Sequence, residues 1–162
     1  MNRRVMLAGA MSAAAAQGKV RDQFLGVWKL ISYTRKTADG KIDYPYSEKP
    51  VGRITYDVAG RMSAQLMKPG RKSTLPSGVS FVLGRASTEE IAEAVGGFIA
   101  YFGTFDVDER AGEVVHHVEA CLVPSWVGTD LRRKYQFSGN RLTLRAAVAG
   151  ITVDLVWERQ AA

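Results

Sequence analysis

The sequence has few of the residues from which disulfides and metal centres are built. It contains one cysteine, Cys121, and two histidines, His116 and His117. A single cysteine cannot form a disulfide within the chain or a thiolate metal site. Alternation would place His117, Glu119 and Cys121 on one outer strand face, but no second ligand cluster accompanies this mixed set. We therefore expect no metal centre and no resident cofactor.

Long apolar runs and clustered basic charge are also missing. No apolar run approaches the ~18–20 residues that a membrane-spanning helix needs, so we expect no membrane insertion. The net charge is +6, but its basic residues are scattered, and the densest run, 132–134, would alternate between the two faces of a strand. Nucleic-acid binding needs basic residues gathered on one surface, so we expect no nucleic-acid partner. No phosphate-binding loop, dinucleotide fingerprint or nucleophile–base motif is present.

The sequence is consistent with one domain that follows an N-terminal segment of different composition. Its 162 residues, 46% hydrophobic and 23% charged, suit a single globular domain. Residues 1–16 combine Arg3 and Arg4, a short apolar stretch and the small residues 13–16, a pattern typical of an export signal or a disordered leader. We therefore predict a leader at 1–16, a domain at 17–162 and a periplasmic or secreted protein. A cytoplasmic protein with a frayed N-terminal helix is the alternative.

The rest of the chain has mainly the period-two pattern of strands. Turn signals such as 38–40, 59–60 and 138–140 separate the apolar–polar alternations. One capping box, in which Ser87 and Glu90 satisfy each other's amides, predicts a helix with an apolar stripe through Ile91 and Val95. A long loop, 68–84, precedes it. The predicted strands cover residues 26–35, 51–57, 61–67, 99–107, 113–123, 131–137, 141–147 and 152–159.

Eight consecutive strands with short hairpin connections predict an all-β fold. Each strand has one apolar face, and closing the sheet would remove its exposed edges. We therefore predict an eight-stranded antiparallel up-and-down barrel with one short helix between the third and fourth strands. A barrel of this size holds packed side chains or one small ligand.

Several motifs support a family resemblance from about residue 24 to residue 159. Trp28 near the start and Arg159 near the end resemble the lipocalin pairing in which an arginine packs on a first-strand tryptophan at the barrel floor. The chain is more closely similar to the lipocalin-like domain family of small bacterial and fungal proteins. It departs from secreted lipocalins in lacking their fuller first-strand motif and their disulfide. The matching segments are residues 26–30, 44–46, 50–57, 60–66, 100–105, 115–119, 122–129 and 138–144.

Two polar side chains are expected inside the barrel. His116 shares its strand face with Val114, Val118, Ala120 and Leu122, and is either a ligand contact or a core histidine with protein partners. Arg133 shares its face with Leu131, Tyr135 and Phe137. Because a buried unpaired charge is costly and no internal acid is evident, a ligand anion or carbonyl near Arg133 is expected; a register that exposes Arg133 is the alternative.

These residues predict a binding protein. Tyr56, Met62, Tyr101 and Tyr135 join His116 and Arg133 as candidate ligand-binding residues, although they could equally be core. The predicted function is binding of a small, largely apolar molecule, with a carboxylate or carbonyl group as an expected feature. An isomerase or cyclase that uses inward His, Arg or Tyr groups is the alternative. The catalytic residues, the oligomeric state and the ligand's identity do not follow from the sequence.

Overall fold

The alternating segments form nine strands in the part of the chain that the computed structural model describes, residues 20–161. The helix Thr88–Gly96 is named α1. The strands are β1 Gly26–Lys36, β2 Ile42–Asp43, β3 Val51–Tyr56, β4 Arg61–Met67, β5 Phe98–Asp108, β6 Glu113–Cys121, β7 Asp130–Ser138, β8 Arg141–Val148 and β9 Ile151–Arg159.

Pairing of the first strand with the last closes the sheet. Each strand from β3 to β8 pairs antiparallel with the next, and β1 pairs with both β3 and β9. The predicted eight-stranded up-and-down barrel is confirmed. The additional strand β2 has two residues and pairs only with the end of β1, at Arg35 and Lys36. No helix among residues 20–161 is both long and apolar enough to cross a membrane.

Two bulges shift the inside–outside alternation. In β1 the pairing with β9 shifts between Leu30 and Ser32, and in β6 the pairing with β5 skips Glu119. Beyond each bulge, side chains exchange faces because the period is two. The predicted inward position of Leu122 is therefore wrong. Leu122 is exposed, and Cys121 packs against the core in its place. Opposite the bulge, a Cβ on Gly103 would overlap the carbonyl oxygen of His117, so glycine is required there.

The two ends of the barrel differ. The floor is the end that holds the start of β1, the end of β9 and the tight turns after β3, β5 and β7. Residues 20–24 are helical and cover this floor, where the fully buried Phe24 packs edge-on against Tyr56, Tyr135 and Phe137. The opposite end, here the loop end, carries the 68–97 connection and a 3-10 turn at Pro124–Trp126.

Helix α1 lies where the sequence places it but packs differently. The Ser87 hydroxyl accepts a hydrogen bond from the Glu90 amide at 3.1 Å, as the capping box predicts. The Glu90 carboxylate does not reach back; it accepts hydrogen bonds from Ser73 and Thr74 and so ties the preceding loop to the helix. No residue of α1 is buried, so its apolar stripe is not part of the core.

Because Phe24 covers the barrel floor, the N-terminus can be shortened only up to the floor helix without a loss of stability. The predicted leader, 1–16, lies outside the described residues, and its export remains a prediction that cell fractionation tests. Because the core begins at the floor helix, we expect deletion of residues 1–16 to leave the melting temperature unchanged. Extending the deletion through Phe24 should lower it strongly, since a fully buried aromatic ring is lost. A substantially lower melting temperature after the shorter deletion would contradict this expectation.

Candidate functional site

A cavity of about 310 Å³ occupies the part of the barrel toward the loop end. Its walls are mainly apolar side chains on the inner faces of the strands. It extends from Trp157 and Ile54 inside the barrel to Val148 beside the β8–β9 turn and Trp126 in the 3-10 turn. Further apolar wall positions are Leu66, Ile99, Leu131, Leu144, Val153 and Leu155.

Arg133 is the charged side chain on this wall. On β7, Leu131, Arg133, Tyr135 and Phe137 are half-buried and the residues between them are exposed, so Arg133 is directed inward as predicted. Its Nη1 donates to the carbonyl oxygen of Arg132 at 3.1 Å. Among residues 20–161 it forms no ion pair, and no carboxylate lines the cavity.

His116 lies behind the wall, between two tyrosines. Its side chain is fully buried; Nε2 is 2.8 Å from Tyr56 Oη and Nδ1 is 2.9 Å from Tyr101 Oη. Of these three residues, Tyr101 lines the cavity. Burial, with a contribution from the positive charge of Arg133, lowers the pKa of His116 to about 3. The imidazole is therefore neutral at physiological pH.

The two tyrosines are also held in their neutral forms. Burial raises the pKa of Tyr101 to about 12 and that of Tyr56 well above its ordinary value, although the charge of Arg133 opposes both shifts. A protonated phenol can donate and accept a hydrogen bond. The group Tyr56–His116–Tyr101 is thus a neutral chain of hydrogen bonds that begins in the core and ends at the cavity.

The remaining predicted binding residues lie away from the cavity. Met62 packs in the core and also lines a separate groove near the floor, beside Gly26 and Asp57. Tyr135 is directed inward but packs against Phe24 and Phe137 at the floor. The structure therefore brings Arg133 and Tyr101 together on the cavity wall, while His116 and Tyr56 stand behind Tyr101.

The pair that the resemblance assigns to barrel closure lies at the floor. The Arg159 guanidinium is 4.1 Å from the centroid of the Trp28 ring, and its Nη1 donates to the carbonyl oxygen of Leu25 at 2.6 Å. The Trp28 indole donates to the carbonyl oxygen of Phe24 at 2.7 Å. These contacts join the first strand, the last strand and the floor helix.

Two aromatic wall residues, Tyr33 and Trp126, are not among the predicted binding residues. Tyr33 reaches the cavity because the bulge after Leu30 shifts the alternation of β1. Trp126 reaches it from the 3-10 turn, and its ring lies edge-on to Tyr101 at 6.1 Å between centroids. The sequence signals for these positions are the aromatic residue at 33 and the Pro-Ser-Trp segment 124–126, which the sequence pattern places in a rim loop near the barrel entrance.

His117 belongs to the outer surface. It is 2.7 Å from Asp130 and 3.1 Å from Asp106, and the hydrogen bond to Asp130 is the main reason that its pKa is raised. Within residues 20–161, no group of three or more His, Cys, Asp or Glu side chains is arranged to hold a metal ion.

Comparison with known proteins places this barrel in a family. The family model described as a lipocalin-like domain matches residues 25–160, which contain every strand of the barrel. The chain belongs to the lipocalin-like domain family. The resemblance inferred from the motifs is therefore confirmed. A barrel of this family indicates binding of a small molecule.

This lipocalin-like chain is similar to one curated protein and to several solved barrels. It is 36% identical over 89 residues to the 4'-hydroxy-3'-methoxypropiophenone carrier protein of Aspergillus oryzae, which covers 51% of this chain and 77% of that protein. A redesigned β-barrel matches 87% of this chain and 95% of its own, with 11% identity and a TM-score of 0.42. A variant of the fluorescent protein UnaG matches 85% and 96%, with 12% identity and a TM-score of 0.39.

Proposed function

We propose that this protein binds and carries one small, largely apolar molecule that has an oxygen acceptor such as a ketone or carboxylate. A cavity of about 310 Å³ is at the lower end of the ~300–1,000 Å³ range of small-molecule sites. It therefore suits one small molecule. Apolar walls supply most of the binding free energy, and the few polar groups select the ligand.

The observation that supports an acceptor group on the ligand is that the polar side chains of the cavity wall are mainly hydrogen-bond donors. Every polar side chain on it has a hydroxyl, indole or guanidinium group that can donate a hydrogen bond, and only the tyrosine hydroxyls can also accept one. The wall therefore offers the Arg133 guanidinium no carboxylate, and apart from the Arg132 carbonyl its partner must be a tyrosine hydroxyl, water or the ligand. These polar wall residues are Tyr33, Tyr101, Trp126, Arg133 and Trp157.

The curated relative supports the same ligand class. The molecule in its name is an aryl ketone with a hydroxyl and a methoxy group on the ring. Such a molecule has an apolar ring and several acceptor oxygens, which matches an apolar cavity whose polar groups are donors. We therefore propose phenolic aryl ketones as the first ligands to test.

Replacement of Arg133 by methionine tests the acceptor. We expect Arg133→Met to weaken binding of anilinonaphthalene sulfonate by ~1.5–3 kcal/mol, the usual contribution of a hydrogen bond to a charged partner. Binding of phenylnaphthylamine, which lacks the sulfonate, should be unchanged. Stability should be unchanged or higher, because an unpaired, partly buried charge does not stabilise the fold. Isothermal titration with both probes and thermal melts measure these effects.

Arg132→Met is the matched control, since it makes the same change on the outward face of the same strand. It should alter neither probe's affinity. Equal losses for both probes in Arg133→Met would indicate a collapsed cavity, and no loss for either would place Arg133 outside the site. The isomerase or cyclase alternative stays a prediction. Mass analysis of an aryl ketone before and after incubation with the protein tests it.

A further inference from the structure

The hydrogen-bond chain Tyr56–His116–Tyr101 has a direction that can be read from its surroundings. His116 is neutral, so one ring nitrogen carries a proton and the other accepts one. Two arrangements are possible. Either Tyr56 donates to Nε2 and Nδ1–H donates to Tyr101, or Tyr101 donates to Nδ1 and Nε2–H donates to Tyr56.

The burial of Tyr56 decides which of the two hydrogen-bond arrangements is favoured. Tyr56 is 2% exposed, and within the described residues its hydroxyl has one hydrogen-bond partner, the Nε2 of His116. If Tyr56 accepted from Nε2–H, its own phenolic proton would be buried without an acceptor, which is costly. If Tyr56 donates to Nε2, its proton is satisfied. The first arrangement is therefore favoured, with the proton of His116 on Nδ1.

This arrangement determines what the Tyr101 hydroxyl, at the other end of the hydrogen-bond chain, can do. Tyr101 Oη then accepts from Nδ1–H at 2.9 Å, and its own proton is not used within the chain. Because Tyr101 lines the cavity, that proton is available to a ligand. Each hydrogen bond in such a chain polarises the next, so the Tyr101 hydroxyl becomes a better donor than an isolated phenol.

We propose that Tyr56 and His116 are positioning residues that fix the Tyr101 hydroxyl as a hydrogen-bond donor to the carbonyl oxygen of the ligand. The proposal rests on the proposed function and makes it more specific. The cavity selects aryl ketones over equally apolar molecules that lack the carbonyl. Tyr101 is then a specificity-determining residue distinct from Arg133.

A pair of probes that differ only at the carbonyl tests this selection. The first probe is 4'-hydroxy-3'-methoxypropiophenone, and the second is the same molecule with a methylene group in place of the carbonyl. We expect the parent to prefer the ketone, and Tyr101→Phe to weaken ketone binding about 3- to 10-fold, the effect of one neutral hydrogen bond. The methylene probe should bind both proteins equally. Tyr135→Phe, which removes a phenolic hydroxyl near the floor, should change neither affinity.

Variants of His116 test the positioning role. His116→Leu should remove the ketone preference while apolar binding remains. His116→Gln can accept from Tyr56 and donate to Tyr101, so it should restore most of the preference. Thermal melts show whether each variant folds. A merely structural histidine would lower stability without changing the ratio of the two affinities.

Nitrogen-15 chemical shifts of the imidazole test the direction in the unmutated, ligand-free protein. We expect the His116 Nδ1 to be protonated and Nε2 unprotonated at pH 7, and the reverse assignment would overturn the proposal. An unchanged ketone affinity in Tyr101→Phe would also overturn it while leaving the carrier function standing. If the parent bound neither these probes nor the naphthalene pair, the carrier function would fail, and the nitrogen shifts would still decide the direction of the chain.

Discussion

Truncation of Trp28 to alanine is expected to lower the free energy of unfolding by about 3–5 kcal/mol, as large aromatic truncations in packed cores do. The side chain is 1% exposed at the barrel floor. Its loss removes the ring beneath the Arg159 guanidinium and the donor to the carbonyl oxygen of Phe24. The first strand, the last strand and the floor helix would each lose a contact. Urea denaturation of parent and variant measures the difference.

Two further variants show whether the effect belongs to the floor. Arg159→Ala should cost less, because it removes the stacking and the bonds to backbone carbonyls but leaves the buried ring. Trp126→Ala, at the loop end and only partly buried, should also cost less than Trp28→Ala. Unfolding midpoints equal to that of the parent for both Trp28→Ala and Arg159→Ala would show that the pair does not close the barrel.

The inward direction of His116 and Arg133 could be predicted because the pairing of β6 with β7 is regular around both residues, although Val115, on the opposite face from His116, is also buried. On β7 the burial pattern alternates through its whole length. On β6 the alternation is kept from His116 to Val118 and is lost at Glu119. Strand alternation depends only on the local chain, so a single sequence contains enough information to assign these faces.

The bulges and the depth of the cavity could not be predicted in the same way. A bulge depends on the partner strand, as the close approach of Gly103 to the carbonyl oxygen of His117 shows. Inward residues also divide by depth. Phe24 fills the floor beside Tyr135, whereas Arg133, two positions earlier on β7, lies at the cavity. Alternation gives the face of a residue but not its height in a closed barrel, so core and wall positions could not be separated.

The same buried histidine predicts how stability depends on pH. The pKa of His116 is lowered from about 6.5 in the unfolded chain to about 3 in the fold, so between these values the unfolded state binds more protons. The free energy of unfolding is therefore highest above pH 6.5 and falls as the pH drops toward 3, because the unfolded chain takes up a proton that the buried His116 does not. Between pH 7 and pH 4.5 we expect a loss of about 2–3 kcal/mol.

The groups that face His116 leave this sign unchanged. Tyr56 and Tyr101 stay neutral in this range, and Arg133 keeps its charge. His117 acts in the opposite direction, because Asp130 and Asp106 raise its pKa, and its contribution is present below pH 6.5 and is lost as the pH rises. Urea denaturation at pH 7, 6, 5.5, 5 and 4.5 should therefore show a flatter dependence for His116→Gln than for the parent. His117→Gln should show a larger loss than the parent between pH 7 and pH 6 and the same slope as the parent at lower pH. An unchanged slope in His116→Gln would mean that the pKa of His116 is not lowered in the folded protein and that the imidazole becomes a cation there as readily as in the unfolded chain, contrary to the neutral chain between the two tyrosines.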